Sequence, residues 1–208
     1  MSARRLALAF GLFVLVTGVA VLPAGHRVDR MIAVWVERAA PGPDVPTASL
    51  VFLGDAEVVI PGLAVAGLIL LLRRNTRRGR ALLWLAGAAA GVSLLAVVLK
   101  HLIVHPGPPL ALTRPIGRPG LTIHATPYGY PSGHTMRTTL LAGTLLRRMP
   151  VLAAVLVAAM MASLVYLGDH WTSEVFGGLC LGWVCVEVTW AVWGGRLRTT
   201  RSPNCPRG

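Results

Sequence analysis

The chain has few charged residues and very few acidic ones. Of its 208 residues only 13% are charged, eight are acidic, and lysine occurs once, at Lys100. A soluble domain would carry about a quarter charged residues. Apolar residues make up 54% of the chain and occur in long blocks. This composition excludes an ordinary soluble domain and predicts an all-α integral membrane protein.

Cysteine is also scarce, with three residues in the whole chain. Cys180 and Cys185 lie inside the last apolar block, and Cys205 lies in the tail. This arrangement does not suit a disulfide framework, and we interpret the two in the block as small apolar packing residues.

Six apolar segments can be drawn, and most reach the 17 or more residues that a membrane span requires. They cover about residues 6–22, 49–72, 81–104, 131–146, 151–167 and 175–193. We expect a single domain over 1–208, built as a six-helix membrane bundle. A signal peptide is an alternative for the first segment, but its apolar run is longer than a usual signal core, which favours a retained helix.

Basic residues set the expected orientation. The net charge is +12, and arginines cluster at positions 4–5, 73–80, 147–148 and 196–207, each at the end of an apolar block. Every second loop between blocks lacks such a cluster, which is the positive-inside pattern rather than a nucleic-acid-binding face. We therefore expect no nucleic-acid partner, both termini in the cytoplasm, and a multi-pass protein of the cell (inner) membrane.

The segment 26–40, between the first two apolar blocks, is amphipathic. Its apolar residues recur at helical spacing and charged residues lie opposite them; the apolar set is Val28, Met31, Ile32, Trp35 and Val36. The pattern predicts a short helix lying in the outer membrane interface, or equally a helix packed as an ordinary loop element.

The sequence Tyr130-Pro131-Ser132-Gly133-His134 reads as the start of a new helix. Proline suits the first helical turn because it lacks an N–H that would stay unpaired there. Ser132 and Gly133 would then present backbone N–H groups at a helix N-terminus, where an anion is stabilised. His134 follows on the same turn, within reach of that anion.

A second histidine, His170, lies between the last two apolar segments, four residues before Glu174. In a helix the two share a face, so the carboxylate can hold one imidazole nitrogen and leave the other free to attack. With the expected topology, this pair, Lys100 and the turn before His134 all lie at the outer face. Together they predict a phosphate-transfer site.

These residues resemble the three signature motifs of the type 2 phosphatidic acid phosphatase (PAP2) superfamily. The family motifs are Lys-x6-Arg-Pro, Pro-Ser-Gly-His and Ser-Arg-x5-His-x3-Asp. The resemblance implies six membrane helices with the site on the outer face. It also implies that His170 is a nucleophile forming a phosphohistidine, oriented by Glu174, and that His134 protonates the leaving group. Lys100 and the backbone of Ser132 and Gly133 would bind the phosphoryl oxygens, without a metal or other cofactor.

The chain departs from the family motifs at three positions. Gly107 and Leu164 stand where the family has arginines, and Glu174 replaces an aspartate. Loss of two phosphate-binding cations without replacement would cost about 10²–10⁴-fold in rate or binding. Arg137, one turn after His134, is the replacement that we favour, although it also suits a snorkelling surface arginine. Arg114 and Arg118 of the long loop are alternatives, and His101 and His105 flank the first motif.

Four acidic residues have other expected roles. Asp55 and Glu57 resemble acids at a helix N-terminus, Asp169 resembles a loop cap, and Glu187, inside the last apolar block, needs a structural partner.

The leading interpretation is a lipid phosphatase or phosphotransferase acting on a lipid phosphate or diphosphate at the outer membrane face. The resemblance suggests polyprenyl phosphates, phosphatidic acid or phosphatidylglycerol phosphate as substrates. The alternative is a catalytically weak relative that binds a lipid phosphate or a membrane partner. A metalloprotein is disfavoured, because His170-x3-Glu174 is not the His-Glu-x-x-His zinc pattern. Oligomeric state stays open.

Overall fold

The computed structural model describes residues 3–38, 42, 44–114 and 128–199, with side chains as far as residue 192. This part of the chain is all-helical, as the composition predicted, and it contains no strand. Its α-helices are α1 (Ala3–Ala20), α2 (Pro23–Arg38), α3 (Asp44–Leu53), α4 (Ala56–Leu72), α5 (Thr76–Leu102), α6 (Gly133–Leu145), α7 (Pro150–Tyr166) and α8 (Thr172–Thr199).

Three helices are long and apolar enough to cross a membrane on their own: α1, α5 and α8. The pair α3 and α4 passes the same test when counted as one bent span, and α7 is a shorter apolar helix of 17 residues. Helix α6, with 13 residues, is shorter still, in line with segment 131–146, which is the shortest of the six apolar segments. The chain is thus a multi-pass membrane protein.

The second apolar segment differs from its prediction. We expected one helix over 49–72, but α3 and α4 meet at Gly54–Asp55 with a bend of 55°. Asp55 has extended backbone angles and forms the N-cap of α4. The Gly54 carbonyl and the Asp55 carboxylate both accept hydrogen bonds from side chains of α6. These two polar groups at the break in the span are therefore not left without partners.

Helix α8 is the centre of the bundle, packed against α1 and α6, while α4 and α5 form a tight antiparallel pair. At the α4–α5 crossing Gly67 and Gly79 face one another, and a methyl group on either would crowd the other's carbonyl oxygen. Such small residues allow close helix contact in membranes. Helix α1 contributes Phe13 to the main core, and its Thr17 Oγ1 lies 2.7 Å from Tyr130 Oη.

Helix α2 is amphipathic, as predicted, and turns its apolar side outward. Met31 and Trp35 are more than 70% exposed, whereas Asp29 is only 2% exposed. The Asp29 carboxylate accepts hydrogen bonds from the N–H (2.9 Å) and hydroxyl (2.6 Å) of Ser173, at the start of α8. An apolar face turned away from the protein and a polar anchor turned inward suit a helix lying at a membrane interface.

The bundle has two chemically different ends. The α5 C-terminus, the α6 N-terminus and the α7–α8 junction share one end, because these helices run antiparallel. The opposite end has the arginine-rich segment 73–80, which comprises the α4–α5 connection and the start of α5, and Arg147–Arg148 after α6. Helix α4 alone is about 26 Å long, close to the thickness of the hydrocarbon core.

Candidate active site

The residues of the three motifs come together at the end of the bundle opposite the arginine-rich α4–α5 connection. Lys100 lies in the last turn of α5, His134 in the first turn of α6, and His170 in the α7–α8 junction. Lys100 is half-buried and close enough to Glu174 and Arg137 for electrostatic interaction with both. Residues up to 74 positions apart in the chain therefore form one cluster.

His170 and Glu174 form a buried hydrogen-bonded pair. His170 Nδ1 lies 2.6 Å from Glu174 Oε2, and the same oxygen accepts the N–H of Trp171 at 3.1 Å. Glu174 is fully buried and His170 is 9% exposed. Because the carboxylate accepts, Nδ1 has the proton and the Nε2 lone pair of His170 is left for another partner. This is the tautomer that a nucleophilic histidine requires.

The turn before His170 depends on Gly168, whose φ is +71°. A side chain there would be strained and would overlap the Leu112 carbonyl. Gly168 thus lets the chain turn tightly from the end of α7 toward His170.

Glu174 has a second imidazole partner, His105. His105 Nδ1 lies 3.1 Å from Glu174 Oε1, and both side chains are fully buried. His105 is held in place because its carbonyl accepts the Gly129 N–H and because the next residue, Pro106, accepts the Trp171 indole N–H. The sequence offered only one signal for this residue, its position near Lys100 in the first motif.

Gly129 allows the chain to pass directly over the Glu174 carboxylate. A Cβ at position 129 would overlap both carboxylate oxygens. A backbone segment this close to a buried carboxylate requires glycine, and no sequence pattern identified it.

His134 has its own carboxylate, Asp55, at the break between α3 and α4. His134 Nε2 lies 2.6 Å from Asp55 Oδ1, so Nε2 donates and Nδ1 is the nitrogen left for other chemistry. The ring centroids of His134 and His170 are 6.3 Å apart in an edge-on arrangement. From the sequence we expected Asp55 to be a helix-terminal acid near outer arginines; the structure also pairs it with His134.

The first turn of α6 is organised by Ser132, which is its N-cap. Ser132 Oγ accepts the Thr135 N–H, and the Ser132 N–H donates to the Glu174 carbonyl at 3.0 Å. This N–H is therefore not available for an anion, contrary to our expectation for Ser132. Within the described residues no acceptor pairs with the N–H of Gly133 or of His134, so these two form the donor edge of the helix.

Arg137 is buried beneath that turn rather than exposed at the surface. Its Nε donates to the Gly54 carbonyl at 2.9 Å, and its Nη1 donates to Ser93 Oγ at 3.3 Å. A methyl group on Gly133 would lie 3.1 Å from Arg137 Nη1, which shows how close the guanidinium is to the helix N-terminus. The snorkelling alternative does not fit a side chain that is 6% exposed.

The other candidate arginine of the described chain lies elsewhere. Arg114 donates to the carbonyls of Tyr166 and Val36, and its guanidinium stacks on the Tyr166 ring at 4.1 Å. It therefore fastens the loop to α7 and α2, outside the histidine cluster. Arg118 lies outside the described residues.

The two departures from the family motifs have different surroundings. Leu164 is fully buried in an apolar cluster with Val51, Met160 and Val175, so a hydrophobic contact occupies the place of the third-motif arginine. A Cβ at Gly107 would meet no atom within 4 Å. Neither position supplies a cation.

Two further acidic residues, Asp169 and Glu187, lie in the α7–α8 junction and within α8, respectively. Asp169 is half-buried, and its N–H donates to the Leu164 carbonyl in the turn after α7. Glu187 is 9% exposed, and among the described side chains it has no hydrogen-bond or ion-pair partner, so the structural partner that we expected is not found there.

In the described ranges, no group of three or more His, Cys, Asp or Glu side chains has a spacing that could hold a metal ion.

The fold is that of a transmembrane phosphatase of known structure. It is similar to the crystal structure of the first transmembrane PAP2-type phosphatidylglycerolphosphate phosphatase, from Bacillus subtilis, with a TM-score of 0.74 and 20% sequence identity. The similarity covers 96% of this chain and 99% of that chain. A search of curated protein sequences finds no match.

Residues 81–198, more than half of the chain, match the family model of the PAP2 superfamily. The chain belongs to this superfamily. The match spans α5 to α8 and includes Lys100, His134, His170 and Glu174, and it supports a phosphatase-type hydrolase.

Proposed function

We propose that the protein is a lipid phosphatase or phosphotransferase that cleaves a lipid phosphate or diphosphate through a phosphohistidine on His170. The observation that supports this most is the pairing of two histidines with separate carboxylates. His170 with Glu174 and His134 with Asp55 lie side by side, with ring centroids 6.3 Å apart. One phosphorus atom between the rings would be within about 3–3.5 Å of a nitrogen of His170, with its leaving oxygen near His134.

In the first step, His170 Nε2 attacks the phosphorus and the bond from phosphorus to the lipid oxygen breaks. The proton on His134 Nδ1 goes to that oxygen, so the lipid leaves as an alcohol, or as a monophosphate from a diphosphate. Glu174 stabilises the positive charge that develops on the His170 ring, and Asp55 stabilises the protonated form of His134 before transfer.

In the second step, water attacks the phosphohistidine and gives its proton to His134 Nδ1. The nitrogen–phosphorus bond breaks, inorganic phosphate leaves, and both histidines return to their initial states. An alcohol in place of water would give phosphotransfer by the same route.

The phosphoryl oxygens would be bound by Lys100, the N–H groups of Gly133 and His134, and Arg137. Two bonds already orient the Arg137 guanidinium toward the α6 N-terminus, so its charge adds to that of the helix dipole. In this proposal Ser132 acts as the helix cap rather than as a donor, and Arg137 replaces part of the missing positive charge.

We place the site at the extracytoplasmic face of the cell (inner) membrane, with both termini in the cytoplasm. The opposite end of the bundle has the arginine clusters, which the positive-inside rule assigns to the cytoplasm. A bilayer lipid is the proposed substrate. The similar Bacillus enzyme is described as a phosphatidylglycerolphosphate phosphatase. Phosphatidylglycerol phosphate is therefore the first lipid in the panel of substrates to be tested, followed by phosphatidic acid and polyprenyl phosphates.

The test is phosphate release by the detergent-purified protein across that panel, with His170→Ala and His101→Ala beside the parent. His101 is exposed on α5, and within the described residues its side chain bonds only the Val97 carbonyl of its own helix, which makes it the matched histidine control. We expect His170→Ala to abolish turnover and His101→Ala to retain it. Equal turnover by the parent and His170→Ala would refute the proposal.

Leu164 and Gly107, which supply no cation, favour the second candidate function, a protein that binds lipid phosphate without cleaving it. Folded parent protein that binds lipid phosphate in a vesicle pull-down, but releases no phosphate from any lipid, would support that role.

A further inference from the structure

We propose that His105 is a positioning residue for the reaction, which fixes the Glu174 carboxylate so that one of its oxygens stays bonded to His170. The inference rests on the proposed function, because positioning has a consequence for turnover only if His170 is the nucleophile. His105 lies in the unspecified x6 stretch of the first family motif, and none of the three motifs specifies a histidine there.

The two Glu174 oxygens have different partners. Oε2 accepts from His170 Nδ1 at 2.6 Å and from the Trp171 N–H at 3.1 Å, and Oε1 accepts from His105 Nδ1 at 3.1 Å. The carboxylate is fully buried, so an oxygen without a donor would be costly. His105 supplies the donor for Oε1, and the carboxylate plane is thereby fixed from both sides.

The bond between His105 and Glu174 also affects Lys100. Lys100 interacts electrostatically with Glu174, and a Glu174 oxygen that lacked its donor would attract the ammonium group. By occupying Oε1, His105 leaves Lys100 free for the phosphoryl group. Loss of His105 should therefore loosen His170 and draw away a phosphate-binding cation.

The surroundings of His105 favour one tautomer. Its Nε2 is buried, and among the described residues it has no hydrogen-bond partner. The His26 ring stacks on the His105 ring with centroids 4.6 Å apart, and Tyr130 lies on another side at 5.7 Å. A protonated ring would bury an unpaired N–H beside a second imidazole. His105 is thus a neutral donor with its proton on Nδ1.

This geometry defines a discriminating set of variants. In His105→Asn the amide nitrogen takes the place of Nδ1, whereas in His105→Gln it takes the place of Nε2. His105→Leu keeps the size without a donor. We expect kcat to fall about 10- to 100-fold in the glutamine and leucine variants, with a smaller change in KM, and to stay within about threefold of the parent in the asparagine variant.

The second readout does not require turnover. In protein labelled with ¹⁵N-histidine, the His170 Nδ1–H resonance reports its bond to Glu174. We expect this resonance to be retained in His105→Asn and shifted or lost in His105→Gln and His105→Leu. If the parent hydrolyses no lipid, the proposed function fails, while the resonance still decides whether His105 positions the pair.

Any of three results would overturn the proposal. All three variants could keep the parental kcat and His170 resonance, or all three could lose them to the same extent. The third is a His170 resonance that no substitution at position 105 changes. Thermal unfolding identifies a variant that does not fold. If the leucine variant unfolds, the comparison of asparagine with glutamine, both polar, decides alone.

Discussion

Replacing Asp55 by asparagine tests the pair that holds His134. Asparagine has nearly the same shape and keeps an oxygen that can accept the His134 Nε2–H, but it lacks the negative charge. In the proposed mechanism that charge stabilises the protonated form of His134, which gives its proton to the leaving lipid oxygen. Asp55→Asn should therefore slow bond cleavage without removing the nucleophile.

The size of the effect follows from the contact. The Asp55–His134 distance is 2.6 Å and the two side chains are 28% and 22% exposed, which makes this a charge-assisted bond with partial solvent access. Such a bond contributes about 1.5–3 kcal/mol, against about 0.5–1.5 kcal/mol for a neutral one. The difference, about 1–1.5 kcal/mol, corresponds to about a 5- to 15-fold fall in kcat. Asp55→Ala, which removes the whole bond, should cost at least about tenfold.

The assay compares two leaving groups. A lipid phosphate releases an alcohol that must be protonated, whereas p-nitrophenyl phosphate releases a stable phenolate that needs little help. The loss in Asp55→Asn should be large for the lipid and small for the aryl ester. Glu57→Gln is the matched control. Glu57 is an exposed residue two positions after Asp55, and, like Asp55, it interacts electrostatically with Arg137. An equal loss for both esters, or an equal loss in Glu57→Gln, would refute the reasoning.

Three further variants probe the supports of the site. Gly129→Ala should abolish turnover, because the new methyl group displaces the Glu174 carboxylate; turnover at the parental rate would contradict the close approach. Asp29→Ala should lower the free energy of unfolding by about 1–3 kcal/mol, since it leaves the Ser173 N–H and hydroxyl without their acceptor; an unchanged unfolding midpoint in denaturant would count against this link between α2 and α8. Burial raises the pKa of Tyr130 to about 12, so its phenol stays neutral. Tyr130→Phe should therefore cost about 0.5–1.5 kcal/mol of stability with kcat little changed. A large loss of kcat would give the hydroxyl a chemical role.

The class of fold could be predicted from the sequence because membrane helices depend on local composition. Long apolar blocks bounded by arginines predict membrane helices, because inside a bilayer each spanning segment must satisfy its own backbone hydrogen bonds. The His170–Glu174 contact was also predictable from the spacing of four residues, although His170 precedes α8, so the contact joins the α7–α8 junction to the first turn of α8 rather than two residues on one helix face. These predictions need only local geometry.

The remaining parts of the site depend on contacts between distant segments. Asp55 bonds His134 across 79 positions and His105 bonds Glu174 across 69, and no helical periodicity links such pairs. The break at Gly54 was missed because the segment is apolar on both sides, and its cause lies on α6, in Arg137 and His134. The position of Arg137 was predicted from its spacing, but its burial against Ser93 could be known only from the packing of α5 on α6.

The most direct test of the account is to trap the phosphorylated protein. Parent protein would be mixed with a lipid substrate labelled in its phosphate, quenched in alkali within milliseconds, and digested for mass spectrometry under conditions that preserve phosphohistidine. We predict label on His170 in the parent and none in His170→Ala. Rapid turnover with no trapped label, or label on another residue, would contradict the phosphohistidine mechanism.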